Sequence, residues 1–62
     1  DEKEAYVKEA IELGAIDQLE RALKVDPNLA NESLLKYAED NSDVDNKEDI
    51  IGIIQDTMNK KE

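Results

Sequence analysis

The sequence predicts an all-α fold, a small compact bundle of four short antiparallel helices, or of three if the second and third act as one. The aromatic residues are limited to Tyr6 and Tyr37, so Leu, Ile, Val and Ala must form the core, and such residues suit helix packing better than strands. Apolar residues recur at three- and four-residue spacing in four segments, with turn-forming residues between them. We expect residues 1–62 to form a single acidic helical domain, either complete or a fragment of a longer chain.

The first helix is predicted over residues 2–13. Acidic residues in its first turn suit the positive end of the helix dipole. Gly14 follows, at the position where a left-handed residue most often ends a helix. The apolar residues at helical spacing, which we expect to face the core, are Tyr6, Val7, Ala10, Ile11 and Leu13.

The second helix is predicted over residues 15–25. Asp17 lies near its start and Lys24 near its end, as the helix dipole favours. Asp26-Pro27 should end it, because the residue before a proline is disfavoured in helical conformation. Its apolar stripe consists of Ile16, Leu19, Ala22 and Leu23.

The third helix is predicted over residues 29–39, and the residues before it offer two starting points. Either Asp26 caps it with Pro27 in the first position, or Asn28 is the capping residue. Leu35 lies off its apolar face. That face consists of Ala30, Leu34, Tyr37 and Ala38. Residues 40–46 should form a loop, since all but Val44 are turn formers or helix-capping types.

The fourth helix is predicted over residues 46–59, and its apolar face is unusually broad. At about 100° per residue the face covers about 160°, whereas a surface helix needs little more than about 100°. Gly52 lies opposite, on the polar side. The breadth favours a central place in the bundle over contact with another chain. The face consists of Ile50, Ile51, Ile53, Ile54 and Met58.

These stripes together predict the hydrophobic core. One face of each helix must turn inward to remove its apolar surface from water. The residues expected in the core are Val7, Ile11, Ile16, Leu19, Leu23, Leu34, Ile50, Ile51 and Ile54.

The composition argues against an enzyme and against a metal or cofactor. The chain has no His and no Cys, and it has no glycine-rich phosphate loop. The carboxylates of the 40–46 loop match a calcium loop in part, with Asn41, Asp43 and Asp45 in the first, third and fifth ligand positions. The twelfth position is then Gly52, where that motif requires a bidentate Glu. We therefore predict no cofactor and no metal site.

Two short motifs resemble known helical families. Residues 22–28, with Asp26-Pro27-Asn28 at their end, resemble the close of a tetratricopeptide repeat, although the spacing from Gly14 to Ala22 is about one helical turn shorter. The Leu13-Gly14-Ala15 loop with the later pair at 34–35 is similar to a ubiquitin-associated domain, with Ala15 where that family has an aromatic residue. We assign the chain to neither family on this basis.

The net charge of the chain limits the kinds of molecule that it is expected to bind. Seventeen acidic residues against eight basic ones give a net charge of −9, which disfavours direct binding to nucleic acid or to anionic membranes. The same charge favours a protein partner with a basic surface. The absence of cysteine and of long apolar runs agrees with a cytoplasmic location.

The predicted function is that of a protein–protein interaction module, an adaptor or accessory domain that uses an apolar helix face. Leu29, Leu35 and Ile53 are the candidate contact residues, because each lies at or beyond the edge of its stripe. The alternative is an acidic inhibitor that mimics nucleic acid and occupies a basic groove. Basic residues are scattered through every helix, which favours the apolar mode. Self-association also stays open.

Overall fold

A computed structural model describes residues 2–43 and 45–60 of the chain. Within them the α-helices are Glu2–Leu13 (α1), Ile16–Val25 (α2), Glu32–Asn41 (α3) and Lys47–Lys60 (α4), with a 3₁₀ turn, Pro27–Leu29, between α2 and α3. The described residues contain no strand. The all-α, four-helix prediction is confirmed, and the three-helix alternative is wrong because the 3₁₀ turn keeps α2 and α3 separate.

The four helices surround one core in the order α1, α2, α4, α3. Each helix packs against its two neighbours in this ring, and the 3₁₀ turn contacts α1, α2 and α4. α1 and α2 run in opposite directions, as an ion pair between Lys3 at the start of α1 and Asp26 after the end of α2 indicates. The end of α1 and the start of α4 meet where Gly14 lies beside Asn46. The 3₁₀ turn therefore lies at one end of the bundle, and the loop residues 42, 43, 45 and 46 lie at the other.

The core confirms most of the predicted set. Val7, Ile11, Leu19, Leu23, Leu34, Ile50 and Ile54 are all buried. Ile16 and Ile51 were expected in the core but are only half-buried, and they pack against it from its edge. Four alanines complete the buried cluster, where a small side chain allows close helix contact. They are Ala10, Ala22, Ala30 and Ala38.

The predicted face of α1 was too broad. Tyr6 is 45% exposed and Leu13 is 68% exposed, whereas Val7, Ala10 and Ile11 are buried. At about 100° per residue, Tyr6 and Leu13 lie about 100° and 120° from Val7, on one flank beyond Ala10. The buried arc ends before it reaches them, because α1 contacts the core through a narrower stripe.

The start of the third helix also differs from the prediction. Asp26 is a cap with Pro27 in the first position, but it caps the 3₁₀ turn: its Oδ1 accepts a hydrogen bond from Asn28 N–H at 3.2 Å. Asn31 caps α3, since its Oδ1 accepts from Leu34 N–H at 2.9 Å. The helix then continues to Asn41, so residues 40 and 41 are helical and the loop is shorter than expected.

Gly14 has the left-handed conformation that its place after α1 predicts, with φ of 69°. Ala15 N–H donates to Ala10 C=O at 2.9 Å and satisfies a carbonyl of the last turn of α1. This tight connection lets α2 fold back against α1. Within the described residues, no helix combines the length and the apolar character needed to cross a membrane.

Candidate functional site

Three large apolar side chains stand out on the surface of the described residues. Val25 is 77% exposed, Leu13 is 68% exposed and Tyr6 is 45% exposed. Tyr6 and Val25 line the same groove, whereas Leu13 lies at the far end of α1. Isolated apolar residues are common on surfaces, so the pairing of Tyr6 with Val25 is the informative feature.

The groove, called here the α1–α2 groove, lies between the first half of α1, the second half of α2 and the 3₁₀ turn. Its volume is about 390 Å³. Its lining is apolar in the middle and charged at the rim. The lining residues are Glu2, Lys3, Tyr6, Arg21, Ala22, Val25 and Leu29.

Two contacts between α1 and α2 hold the walls of this groove. Lys3 Nζ lies 3.8 Å from Asp26 Oδ2 at one end, and Gln18 Nε2 donates to Tyr6 C=O at 3.3 Å at the other. Both contacts are near the surface, so they set the register of the helices more than they add stability. The antiparallel register brings Tyr6 of α1 alongside the end of α2, and this is why Val25 shares its groove.

The 3₁₀ turn places Leu29 in the groove. Asp26 caps the turn, and Pro27 fixes the backbone angle of its first position. Leu29 N–H then donates to Asp26 C=O at 3.1 Å. Leu29 is half-buried, packs against the core and also lines a second groove between α1 and α3.

The rim of the α1–α2 groove holds one cation that has no partner within the described residues. Lys3 pairs with Asp26, whereas Arg21 makes no ion pair or side-chain hydrogen bond there. Arg21 is the single Arg of the chain and is exposed. It precedes Val25 by one helical turn on α2, and it lines both this groove and the cleft between α2 and α4.

The structure places the three predicted contact residues in different environments. Leu29 lines the α1–α2 groove, as described. Ile53 lines a larger cleft of about 630 Å³ between α2 and α4, where it is surrounded by charged residues such as Lys24 and Asp56. Leu35 is half-buried against the core and lines none of these three surfaces. The prediction that they contact a partner stays a prediction, and they do not form one patch.

The α1–α3 groove contains the one clear electrostatic perturbation among the described residues. Lys8 Nζ lies 5.2 Å from the centre of the Tyr37 ring, at cation–π distance. Tyr37 Oη donates a hydrogen bond to Glu12 Oε2. This hydrogen bond, with partial desolvation and the negative charge of Glu12, raises the pKa of Tyr37 above its ordinary value of 10.0. These contacts join α1 to α3.

The negative charge is concentrated at the end of the bundle opposite the α1–α2 groove. Segments 12–17, 39–43 and 45–49, which form that end, contain eight acidic residues and one basic residue. Segments 2–6 and 21–29, which form the groove, contain three of each. Although these carboxylates are close in sequence, no group of three or more in the described residues is arranged to hold a metal ion.

Sequence reasoning placed Tyr6 on the apolar face of the first helix and gave Val25 no role. A signal for both was present in the helical spacing. Val25 lies about 120° from Leu19 on α2, much as Tyr6 lies about 100° from Val7 on α1. Off-stripe apolar residues on two neighbouring helices share a groove only where the helix register brings them together, as it does for Tyr6 and Val25 but not for Leu13. Comparison with known proteins gave no match: no family model, curated protein or solved structure is significantly similar to the chain.

Proposed function

We propose that this chain is a non-enzymatic protein-binding module, an adaptor or accessory domain, whose binding surface is the α1–α2 groove. The observation that carries the proposal is the presence of the exposed Tyr6 and Val25 in one groove with the half-buried Leu29. Apolar side chains that share a concave surface and a charged rim are typical of protein-interaction sites. Tyr is also enriched at such sites.

The expected ligand is an amphipathic helix of another protein. The groove lies between two helices, and a third helix can place its apolar face there with anchors at three- and four-residue spacing. Ala22 at the bottom of the groove is small, which leaves room for an aliphatic side chain of the partner. In this proposal Leu29 contributes to the same contact, whereas Leu35 and Ile53 would contact a partner only beyond the groove. The proposed location is the cytoplasm.

The test compares two serine variants with short helical peptides selected from a display library on the wild-type protein. Val25→Ser alters the groove, and Leu13→Ser is the matched control, because both residues are exposed aliphatic side chains near a helix end. Removing a buried Val contact should cost about 1.5 kcal/mol or more, which weakens binding about tenfold. Leu13→Ser should bind as the wild type does, and both variants should keep the same circular-dichroism spectrum.

Three results would count against the proposal. Equal losses in Val25→Ser and Leu13→Ser would show that the peptides recognise general surface hydrophobicity. No loss in Val25→Ser would show that they bind elsewhere. A concentration-dependent dimer that Val25→Ser abolishes in sedimentation would show that the occupant is a second copy of the chain.

The acidic end of the bundle keeps a second candidate function open, an inhibitor that mimics nucleic acid. The observation that favours it is the excess of carboxylates in segments 12–17 and 39–49. Such binding would weaken steeply as salt rises, whereas binding in an apolar groove would change little. Combined replacement of Asp40, Asp43 and Asp45 by Asn would abolish the mimic but leave binding in the α1–α2 groove unchanged.

A further inference from the structure

We infer that the helix bound in the α1–α2 groove carries a carboxylate that pairs with Arg21, three or four residues from its own aliphatic anchor. This inference rests on the proposed function and adds the chemistry of the partner at this contact. It differs from what the net charge of −9 suggests, which is a basic partner. The charges close to the groove decide whether the partner segment bound there is acidic or basic.

The charges nearest the α1–α2 groove are of both signs. Its charged lining residues are Glu2, Lys3 and Arg21, and Lys3 pairs with Asp26. On α2, Asp17 lies four residues, about 6 Å, before Arg21. On α1, the acidic end begins about 18 Å from Glu2, at the end of a helix of 12 residues. Because charges in solvent are largely screened beyond about 8 Å at physiological salt, a partner helix in the groove interacts mainly with the rim charges and with Asp17.

Arg21 is the rim charge best able to recognise a partner. Lys3 is already paired with Asp26, whereas Arg21 has no ion pair or side-chain hydrogen bond within the described residues. A guanidinium group binds a carboxylate through two parallel hydrogen bonds, and it is more weakly hydrated than an ammonium group. Burial of the adjacent apolar surface by a partner would remove water from this pair, and Arg is enriched among residues that dominate binding energy.

The geometry of α2 sets the spacing within the partner. Arg21 and Val25 are four residues apart, so their side chains lie one above the other on the same side of the helix. A partner helix that runs along α2 meets them about one turn apart. Its carboxylate must therefore lie three or four residues from the aliphatic side chain that contacts Val25. Lys24 lines the cleft on the other side of α2 but not the groove, whereas Arg21 lines both.

The experiment uses a display library of short amphipathic helices in which the position four residues from an aliphatic anchor is varied. Selection on the wild-type protein should enrich Asp or Glu at that position. A selected peptide and its Lys counterpart are then measured against the wild type, Arg21→Glu and Lys24→Glu. Lys24→Glu is the matched control, because it makes the same charge change on the same helix outside the groove.

Arg21→Glu should weaken binding of the acidic peptide about tenfold or more and should bind the Lys peptide better than the wild type does. Lys24→Glu should change the binding of both peptides clearly less than Arg21→Glu does, because Lys24 is a neighbour of Arg21 on α2 but does not line the groove. If Val25→Ser abolishes binding but Arg21→Glu does not, the inference is wrong and the groove still binds a helix. If Val25→Ser has no effect, the proposed function itself fails. Selection of basic residues at the varied position would also overturn the inference.

Discussion

Replacement of Gly52 by Ala should stabilise the protein. Gly52 lies inside α4 and is exposed, and a Cβ atom at this position would have no neighbour within 4 Å. Its backbone is helical, so Ala fits without strain. A glycine inside a helix is less favourable than Ala by about 0.8–1.0 kcal/mol, largely because the unfolded chain has more freedom to lose. We therefore expect the free energy of unfolding to rise by about 1 kcal/mol.

This gain is large for so small a domain. At roughly 0.05–0.15 kcal/mol per residue, a chain of this length has a total stability of roughly 3–9 kcal/mol. An increase of 1 kcal/mol should raise Tm by about 4–8 °C. Urea and thermal unfolding followed by far-UV circular dichroism measure both quantities, and the urea m-value should stay unchanged.

Gly14→Ala is the matched control and should have the opposite effect. Gly14 has a φ of 69°, and a Cβ there would lie 3.3 Å from Asn46 Cγ, with the amide nitrogen of Asn46 closer still. A left-handed residue other than glycine costs roughly 1–2 kcal/mol, and displacement of Asn46 adds to this. If Gly52→Ala were neutral or destabilising, Gly52 would not lie on an open helical surface. If Gly14→Ala were neutral, the left-handed turn after α1 would be wrong.

Two further predictions concern the core and the α1–α3 groove. Ile54→Ala should lower the free energy of urea unfolding by about 2–5 kcal/mol, because Ile54 is fully buried. Ile53→Ala, at a half-buried position, should lower it clearly less. In a Tyr6→Phe background, ultraviolet titration should give Tyr37 a pKa above 10.0, and Glu12→Ala should lower it. Because the pKa of Tyr37 is raised in the folded state, its stabilising contribution is present below pH 10.0 and is lost as pH rises through the raised pKa. If Tyr37 had the same pKa with and without Glu12, the hydrogen bond from Tyr37 to Glu12 would be contradicted.

Helical periodicity predicted the fold well because the core selects one face of each helix. Val7 and Ile11 on α1 lie four residues apart, as do Leu19 and Leu23 on α2; this spacing keeps each pair on one side of its helix, and all four residues are buried. Periodicity could not give the width of each buried face. Tyr6 lies beyond the part of α1 that its neighbours cover, and only the packing of the helices decides where that part ends.

The sequence did not indicate which of several candidate residues caps the third helix. Asp26, Asn28 and Asn31 are all suitable capping residues, and they occur within a few positions of one another. The structure uses Asp26 for the 3₁₀ turn and Asn31 for α3, an arrangement that buries Ala30 between them. The choice depends on this burial, which a local pattern does not encode.

The candidate site was predicted only in part. Leu29 was selected because it lies at the edge of its stripe, and it does line the α1–α2 groove. Val25 was missed because it is the last residue of α2 and lies away from the apolar stripe. A groove arises from two helices together, so the antiparallel register of α1 and α2 had to be known before Tyr6 and Val25 could be placed side by side.

The most direct test of the proposed binding surface is amide chemical-shift mapping by NMR as a selected helical peptide is added to the wild-type protein. The account predicts that the largest shifts occur at Tyr6, at residues 21–25 and at Leu29, with small shifts along the acidic segment 39–49. Shifts centred on segment 39–49, with none in the α1–α2 groove, would contradict the central claim.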